Sequence, residues 1–268
     1  MNIHDIIIIG GGLNGLITAN LLSEEGKSVL LFESRDKIGG MASTEEFHPG
    51  FTCNLIHDHL PWMDENLIKK LKLNQLGLKF HLRDPYHIGL DVKGNHLIFS
   101  NDMDKTMDSI AIHSSKDANK WPLFMKHIDK LTQFLKPLYG TIPPKISEIG
   151  LKDLLTLKGM LSPYVKHGSR GFIDLLKTVP MMMPELMDEW FESDLLRGNL
   201  SAKGVFYTNQ GPYSAATVLN FLHQHIFSDG KIFSSMLIEG GISTLVQKIH
   251  DGSINNGATI MLKTPIKS

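Results

Sequence analysis

The most regular hydrophobic pattern lies at the start of the chain. Asp5 precedes four consecutive isoleucines, Ile6 to Ile9, and the run stops at Gly10-Gly11-Gly12. A continuous β-branched run ended by glycines predicts a parallel strand buried on both faces. Leu13, Leu16, Ile17 and Leu21 then recur at helical spacing until Gly26. Val29-Leu30-Leu31-Phe32 reads as a second apolar strand. The predicted order is therefore strand, glycine turn, helix, strand.

Further along, Phe47-His48-Pro49-Gly50-Phe51 reads as a turn between short strands. The segment from 63 to 99 predicts a helix and then strands around Lys79 to Leu82, Tyr86 to Leu90 and His96 to Phe99. A helix starts near Ser114 to Asp117, and its stripe of Phe124, Ile128, Leu131, Leu135 and Leu138 faces a core until Pro137 and Gly140 end it. Trp190 and Phe191, with Leu186 and Leu195, read as one apolar helix face, and Tyr213 to Phe227 as another helix. After Glu239-Gly240-Gly241 come a helix through about His250 and a strand from Ala258 to Leu262. Strands alternating with helices predict an α/β fold.

Composition narrows the function classes. With 268 residues, 42% of them hydrophobic, the chain suits one large domain or two modest ones. Lys plus Arg number 27 against 28 Asp plus Glu, so the formal charge of -1 provides no field to gather nucleic acid, which is not expected as a partner. Cys53 is the single cysteine and fits a reducing compartment. No segment approaches the ~18 apolar residues of a membrane span, and the isoleucine run is too short for a signal-peptide core. The expected location is cytoplasmic. Of the 13 histidines, His57-Asp58-His59 and His223-Gln224-His225 are the densest groups. Residues two apart on a helix lie on different faces, so no metal is expected, and His225 reads as a packed, hydrogen-bonded residue. No Ser-His-Asp or Cys-His constellation stands out, and the catalytic residues are unknown at this level.

The glycines carry the chemistry. Gly10, Gly12 and Gly15 form Gly-x-Gly-x-x-Gly between strand and helix. Gly10 permits the tight turn, Gly12 lets the backbone approach a pyrophosphate, and Gly15 lets helix and strand pack closely. The unpaired N–H groups where the helix begins, around Leu13 and Asn14, face the phosphates. Glu33 ends the second strand, where an acid hydrogen-bonds ribose hydroxyls and disfavours a 2′-phosphate. A dinucleotide cofactor is predicted, and the fingerprint alone leaves FAD and NAD both open.

Glu33-Ser34-Arg35-Asp36-Lys37-Ile38-Gly39-Gly40-Met41-Ala42-Ser43-Thr44 resembles the segment that follows the fingerprint in the FAD-containing amine oxidase and phytoene desaturase superfamily. In that family the Gly-Gly pair lies against the flavin's phosphate and ribityl chain. Adjacent glycines allow such an approach, and Arg35 supplies a charge for phosphate. Ser34, Arg35, Gly39, Gly40 and Met41 thus join the candidate cofactor residues. Trp190-Phe191-Glu192-Ser193 resembles a helix of the phytoene dehydrogenase-like branch. The strand near Ala258 to Leu262 resembles the return crossover, after which Ile266 matches the position whose backbone meets the adenine.

The resemblance implies a Rossmann-type FAD-binding domain, in the glutathione-reductase-like variant, formed by residues 1–75 and 236–268. An inserted α+β substrate or cap region spans 76–235. Full-length relatives run well past Ser268, so the C-terminal part of the fold is expected to be missing. The implied activity is FAD-dependent dehydrogenation or desaturation of a hydrophobic substrate by hydride transfer to flavin N5. A split FAD-binding half without independent catalysis and an NAD-dependent dehydrogenase are the alternatives. The expected partners are a small hydrophobic substrate, a membrane surface met peripherally, and a C-terminal partner half or a second copy of the chain. Met181-Met182-Met183, with Phe172, Leu175 and Leu176 nearby, offers a flexible apolar surface for a lipophilic substrate or membrane, with core packing as the plainer reading.

Overall fold

The computed structural model describes residues 3–56, 60, 63–85, 87–139, 141, 158–159, 161–228, 232 and 236–267. The chain divides into two units, each with its own core. One comprises Met1–Arg83 with Ser235–Ser268, the other Asp84–Ser234.

The first unit is built on a parallel sheet of β1 (Ile6–Ile9), β2 (Val29–Phe32) and β9 (Thr259–Met261), in the order β1-β2-β9. Ile6 lies opposite Val29 and Ile8 opposite Leu31, so these four residues share a face. That face belongs to a core with Leu16 and Ala19 of helix α1 (Leu13–Glu24) and Leu245 and Ile249 of helix α9 (Ile242–Asn255). The two helices also bond directly: Ser253 Oγ donates to the Leu16 carbonyl at 3.2 Å and Asn20 Nδ2 to the Ile249 carbonyl at 3.3 Å. A Cβ on Gly252 would lie 2.5 Å from Asn20 Nδ2, so a side chain there would displace the amide that bonds the Ile249 carbonyl.

The expectation for β1 fails on its other face. Ile7 is 62% and Ile9 70% exposed, because only the α1 and α9 side of this strand is covered. Among the described residues β1 pairs with β2 alone. Two antiparallel pairs complete the unit: β3 (Thr44–His48) with β4 (Phe51–Asn54), and β5 (Phe80–Leu82) with β8 (Met236–Ile238), alongside helix α2 (Glu65–Lys70).

The second unit joins the hairpin β6 (His87–Leu90) and β7 (His96–Phe99) to α3 (Met103–Ala111), α4 (Ser115–Tyr139), α5 (Ser162–Thr178), α6 (Met183–Trp190), α7 (Asp194–Lys203) and α8 (Thr217–His225). Phe124, Ile128, Leu131 and Leu135 of α4 are buried as their spacing predicts, while Leu138 is half exposed. Phe124 is fully enclosed and meets the rings of Phe191, Trp190, Trp121 and Phe221.

One expectation is corrected here. Trp190 and Phe191 do not share a helix with Leu195: α6 ends at Trp190, Phe191 is extended, and Ser193 caps α7 by accepting from Leu196 N. Asp117, wholly buried, stabilises this break by accepting from the backbone N–H groups of Glu192 and Ser193. The Trp-Phe-Glu-Ser motif therefore supplies core packing and capping. The methionine run follows its plainer reading of core packing, since Met183 is fully buried and Met181 packs against the same core.

His57-Asp58-His59 lies outside the described residues. His223 Nδ1 faces the Tyr139 hydroxyl at 2.6 Å, whereas His225 Nδ1 faces the Phe221 carbonyl at 2.6 Å, so the two rings diverge. Burial pushes the His225 imidazole down to about 4, which keeps it neutral near pH 7. Among the described residues no three His, Cys, Asp or Glu side chains gather to hold a metal.

Candidate functional site

The site lies at the C-terminal ends of β1 and β2, where the chain turns into α1. Gly10 takes φ +103°, a conformation strained for any side chain, and its N–H donates to the Phe32 carbonyl at 2.7 Å. Gly15 faces back onto this turn, and a Cβ there would fall 2.1 Å from the Gly10 carbonyl oxygen. Gly12 differs in kind. It caps α1 in extended conformation, no side chain caps the helix, and a Cβ on Gly12 would meet nothing within 4 Å. Leu13 is half-buried against the core and Asn14 is exposed, so the first N–H groups of α1 border open space.

The Gly-Gly pair, remote in sequence, closes on this turn. Gly39 N donates to the Gly11 carbonyl at 2.8 Å, and Gly12 and Gly39 form an isolated parallel bridge. A Cβ on Gly40 would lie 3.2 Å from Gly12 Cα. Gly39 and Gly40 both have positive φ, at 111° and 56°, and lead into a 3-10 turn, Gly40–Ala42, that leaves Met41 exposed. Ser43 Oγ ties the turn down by donating to the Gly40 carbonyl at 2.7 Å.

Glu33 is the hinge between the two glycine segments. It is buried, and its Oε2 accepts from Gly11 N at 2.6 Å while Oε1 accepts from Arg35 N at 2.9 Å and Ser34 Oγ at 3.2 Å. Burial pushes this carboxyl upward, but the bonds from Arg35, Gly11 and Ser34 outweigh it and hold the group below its ordinary range. Glu33 thus organises the turn as well as standing where a ribose acid would stand. Ser34 and Arg35 are exposed beside it.

Sequence reasoning missed Gly11, whose N–H makes that bond and whose Cβ would lie 3.1 Å from Glu33 Oε2. It also missed Glu45, which pairs with Arg35 at 2.7 Å and with Lys37. Lys37 and Arg35 hold the Glu45 carboxyl below its usual range. No spacing rule announces this contact, which depends on how the chain enters β3. At the far end of the sequence, Lys263 N donates to the Arg35 carbonyl at 2.8 Å and Thr264 N to the Glu33 carbonyl at 2.9 Å. This lays the segment after β9 along the loop after β2, with Ile266 half exposed two residues on.

Replacing Glu33 by glutamine should cost about 1.5–3 kcal/mol, because in either orientation the amide presents a donor to a backbone N–H, of Gly11 or of Arg35, that itself donates. A carboxyl depressed in the folded chain contributes stability that is present above its unfolded value, about 4.3, and lost as pH falls through the folded one. Urea titrations at neutral pH and near pH ~3 should therefore show wild type losing more on acidification than Glu33→Gln. Equal losses would mean that Glu33 does not hold the turn.

Comparison with known proteins follows the same residues. Residues 8–62 match the family model of the NAD(P)-binding Rossmann-like domain. Over 277 residues the chain is 27% identical to pyridine nucleotide-disulfide oxidoreductase domain-containing protein 2 of Rattus norvegicus, covering 98% of this chain and 48% of that protein. A flavin-containing amine oxidase of Oncorhynchus mykiss is 49% identical over 43 residues, 16% of this chain and 8% of that one. Among solved structures, a triple mutant of putrescine oxidase superposes with a TM-score of 0.59 at 16% identity, over 98% of this chain and 51% of the other. The chain spans about half the length of the first of these relatives.

Proposed function

Since the chain belongs to the FAD-dependent amine oxidase-like superfamily, we propose that it binds FAD at the turn formed by Gly10, Gly12, Gly15, Gly39 and Gly40. The proposed role of the bound form is oxidation of a hydrophobic substrate. The observation that carries this reading is the open space over Gly12, at the uncapped start of α1 and beside Gly39-Gly40. A cradle that a side chain would fill, bordered by free N–H groups, suits a diphosphate.

In this reading the N–H groups of Leu13 and Asn14 meet the pyrophosphate, and Arg35 adds positive charge. Glu33 keeps lone pairs for ribose hydroxyls, since each carboxylate oxygen accepts more than one bond. Met41 and the Ile266 backbone complete the contact surface. FAD, when bound, supplies a hydride acceptor, and the chain supplies its binding, orientation and shielding from water. The match to a flavin-containing amine oxidase, 49% identical over 43 residues, supports FAD over a nicotinamide cofactor.

The test is the visible spectrum of the purified chain, with mass identification of what denaturation releases. Flavin absorption and released FAD are expected. A colourless chain that takes up no added FAD, or one that turns over only with a nicotinamide, would overturn the reading.

A second reading rests on β1. A parallel strand with Ile7 and Ile9 uncovered, in a chain half as long as its relatives, suits a dinucleotide-binding half that works with further polypeptide laid over that face. Weak FAD uptake by the isolated chain, tightening when that polypeptide is supplied, distinguishes it from the first.

A further inference from the structure

Helix α5 has its polarity arranged unusually. Gly171, Leu175 and Thr178 are buried, and Gly171 faces the Phe134 ring of α4. The opposite side should be polar in a helix that meets only water. Instead, Leu176 is 58% and Ile173 48% exposed, beside Phe172, whose ring leans on Phe134 and Tyr164. Charge on the helix is one-sided as well. Arg170 and Lys177 are exposed, and the single acidic side chain of the helix, Asp174, is taken by Lys130 of α4 at 2.6 Å, while Lys166 donates to Gln133 Oε1 of α4 at 2.8 Å. Gly168, with φ 65° and ψ -174°, breaks the helix, so this surface lies on the piece that follows it.

We propose that the outer face of α5 is a docking surface for an anionic lipid bilayer, with Ile173 and Leu176 entering the headgroup boundary and Arg170 and Lys177 meeting lipid phosphates. Apolar side chains flanked by cations are the arrangement of helices that lie in a membrane interface. Positive charge with its one carboxylate neutralised is complementary to an acidic leaflet, and it argues against a second copy of the same cationic face. Among the described residues no helix is long and apolar enough to cross a membrane, so the contact is one of surface. The proposal stands apart from the cofactor reading.

The experiment is co-sedimentation of the whole chain with phosphatidylcholine vesicles and with vesicles of phosphatidylcholine mixed with phosphatidylglycerol. Binding to the mixed vesicles alone is expected, weakening as salt rises. Ile173→Glu with Leu176→Glu should abolish it. Arg170→Glu with Lys177→Glu should weaken it by at least about tenfold, taking ~1 kcal/mol for each basic residue near the surface. These residues are exposed, so far-UV circular dichroism and thermal midpoints should match wild type, which separates lost docking from lost folding. No sedimentation with either vesicle, equal sedimentation with both, or a concentration-dependent dimer that Leu176→Glu dissolves would each overturn the proposal.

Discussion

Gly12→Val is expected to leave the chain folded and to weaken FAD binding at least about a hundredfold, or ~2.7 kcal/mol, whereas Gly15→Val should damage the fold itself. The two glycines belong to one motif but face different neighbours. Gly12 has φ -71° and ψ 174°, which any residue adopts, and its missing side chain points into open space. A valine there costs the protein at most about 1 kcal/mol as a poorer cap. What it obstructs is the approach to the start of α1. A Cβ on Gly15 would instead sit 2.1 Å from the Gly10 carbonyl oxygen, an atom held by the turn. Separating them moves α1 off β1, at a cost of about 3 kcal/mol or more. Calorimetric titration with FAD and urea denaturation of both variants supply the check. Normal FAD affinity in Gly12→Val would remove the basis of the cofactor reading.

Phe124→Ala should cost about 3–5 kcal/mol, a large share of the ~5–15 kcal/mol that stabilises a typical domain. Phe124 is fully buried, with its ring centroid 4.9 Å from that of Phe191 and 5.4 Å from that of Trp190, both edge-on. Truncation empties the place where α4, α6 and α8 contribute to one core, and large neighbouring rings cannot collapse into the gap. Urea unfolding followed by tryptophan fluorescence measures the loss. A change under about 1 kcal/mol would mean that this aromatic cluster is not the centre of the unit.

Much of the fold was legible because it rests on short-range rules. The isoleucine run, the glycine turn and the apolar repeat after it each became the expected element. The strands near 80, 87 and 96, and the long helix with its Phe124 stripe, appeared close to their expected bounds. Local patterning erred where burial depends on something distant. The run Ile6 to Ile9 looks alike on both faces, yet Ile6 and Ile8 meet helices and Ile7 and Ile9 do not. Trp190 and Phe191 fit a helical face, but Asp117, more than seventy residues earlier, provides the acceptor that lets the chain leave the helix there.

The candidate site divides along the same line. By itself the sequence determined which residues lack a side chain and which carry charge: the glycines at 10, 12, 15, 39 and 40, and the acid at 33. It thereby set the class of ligand proposed, since a diphosphate needs open backbone N–H groups at a helix start. Only the tertiary structure decided what those residues do to one another. It placed Gly39 on the Gly11 carbonyl, gave Glu33 to the Gly11 N–H, and set Glu45 against Arg35. The physical reason is range. Turn and helix preferences act over a few residues, whereas the bonds of Gly11 to Glu33 and Gly39 exist only after β2 has paired with β1 and brought its far end beside the turn, and that of Arg35 to Glu45 only after the chain has entered β3.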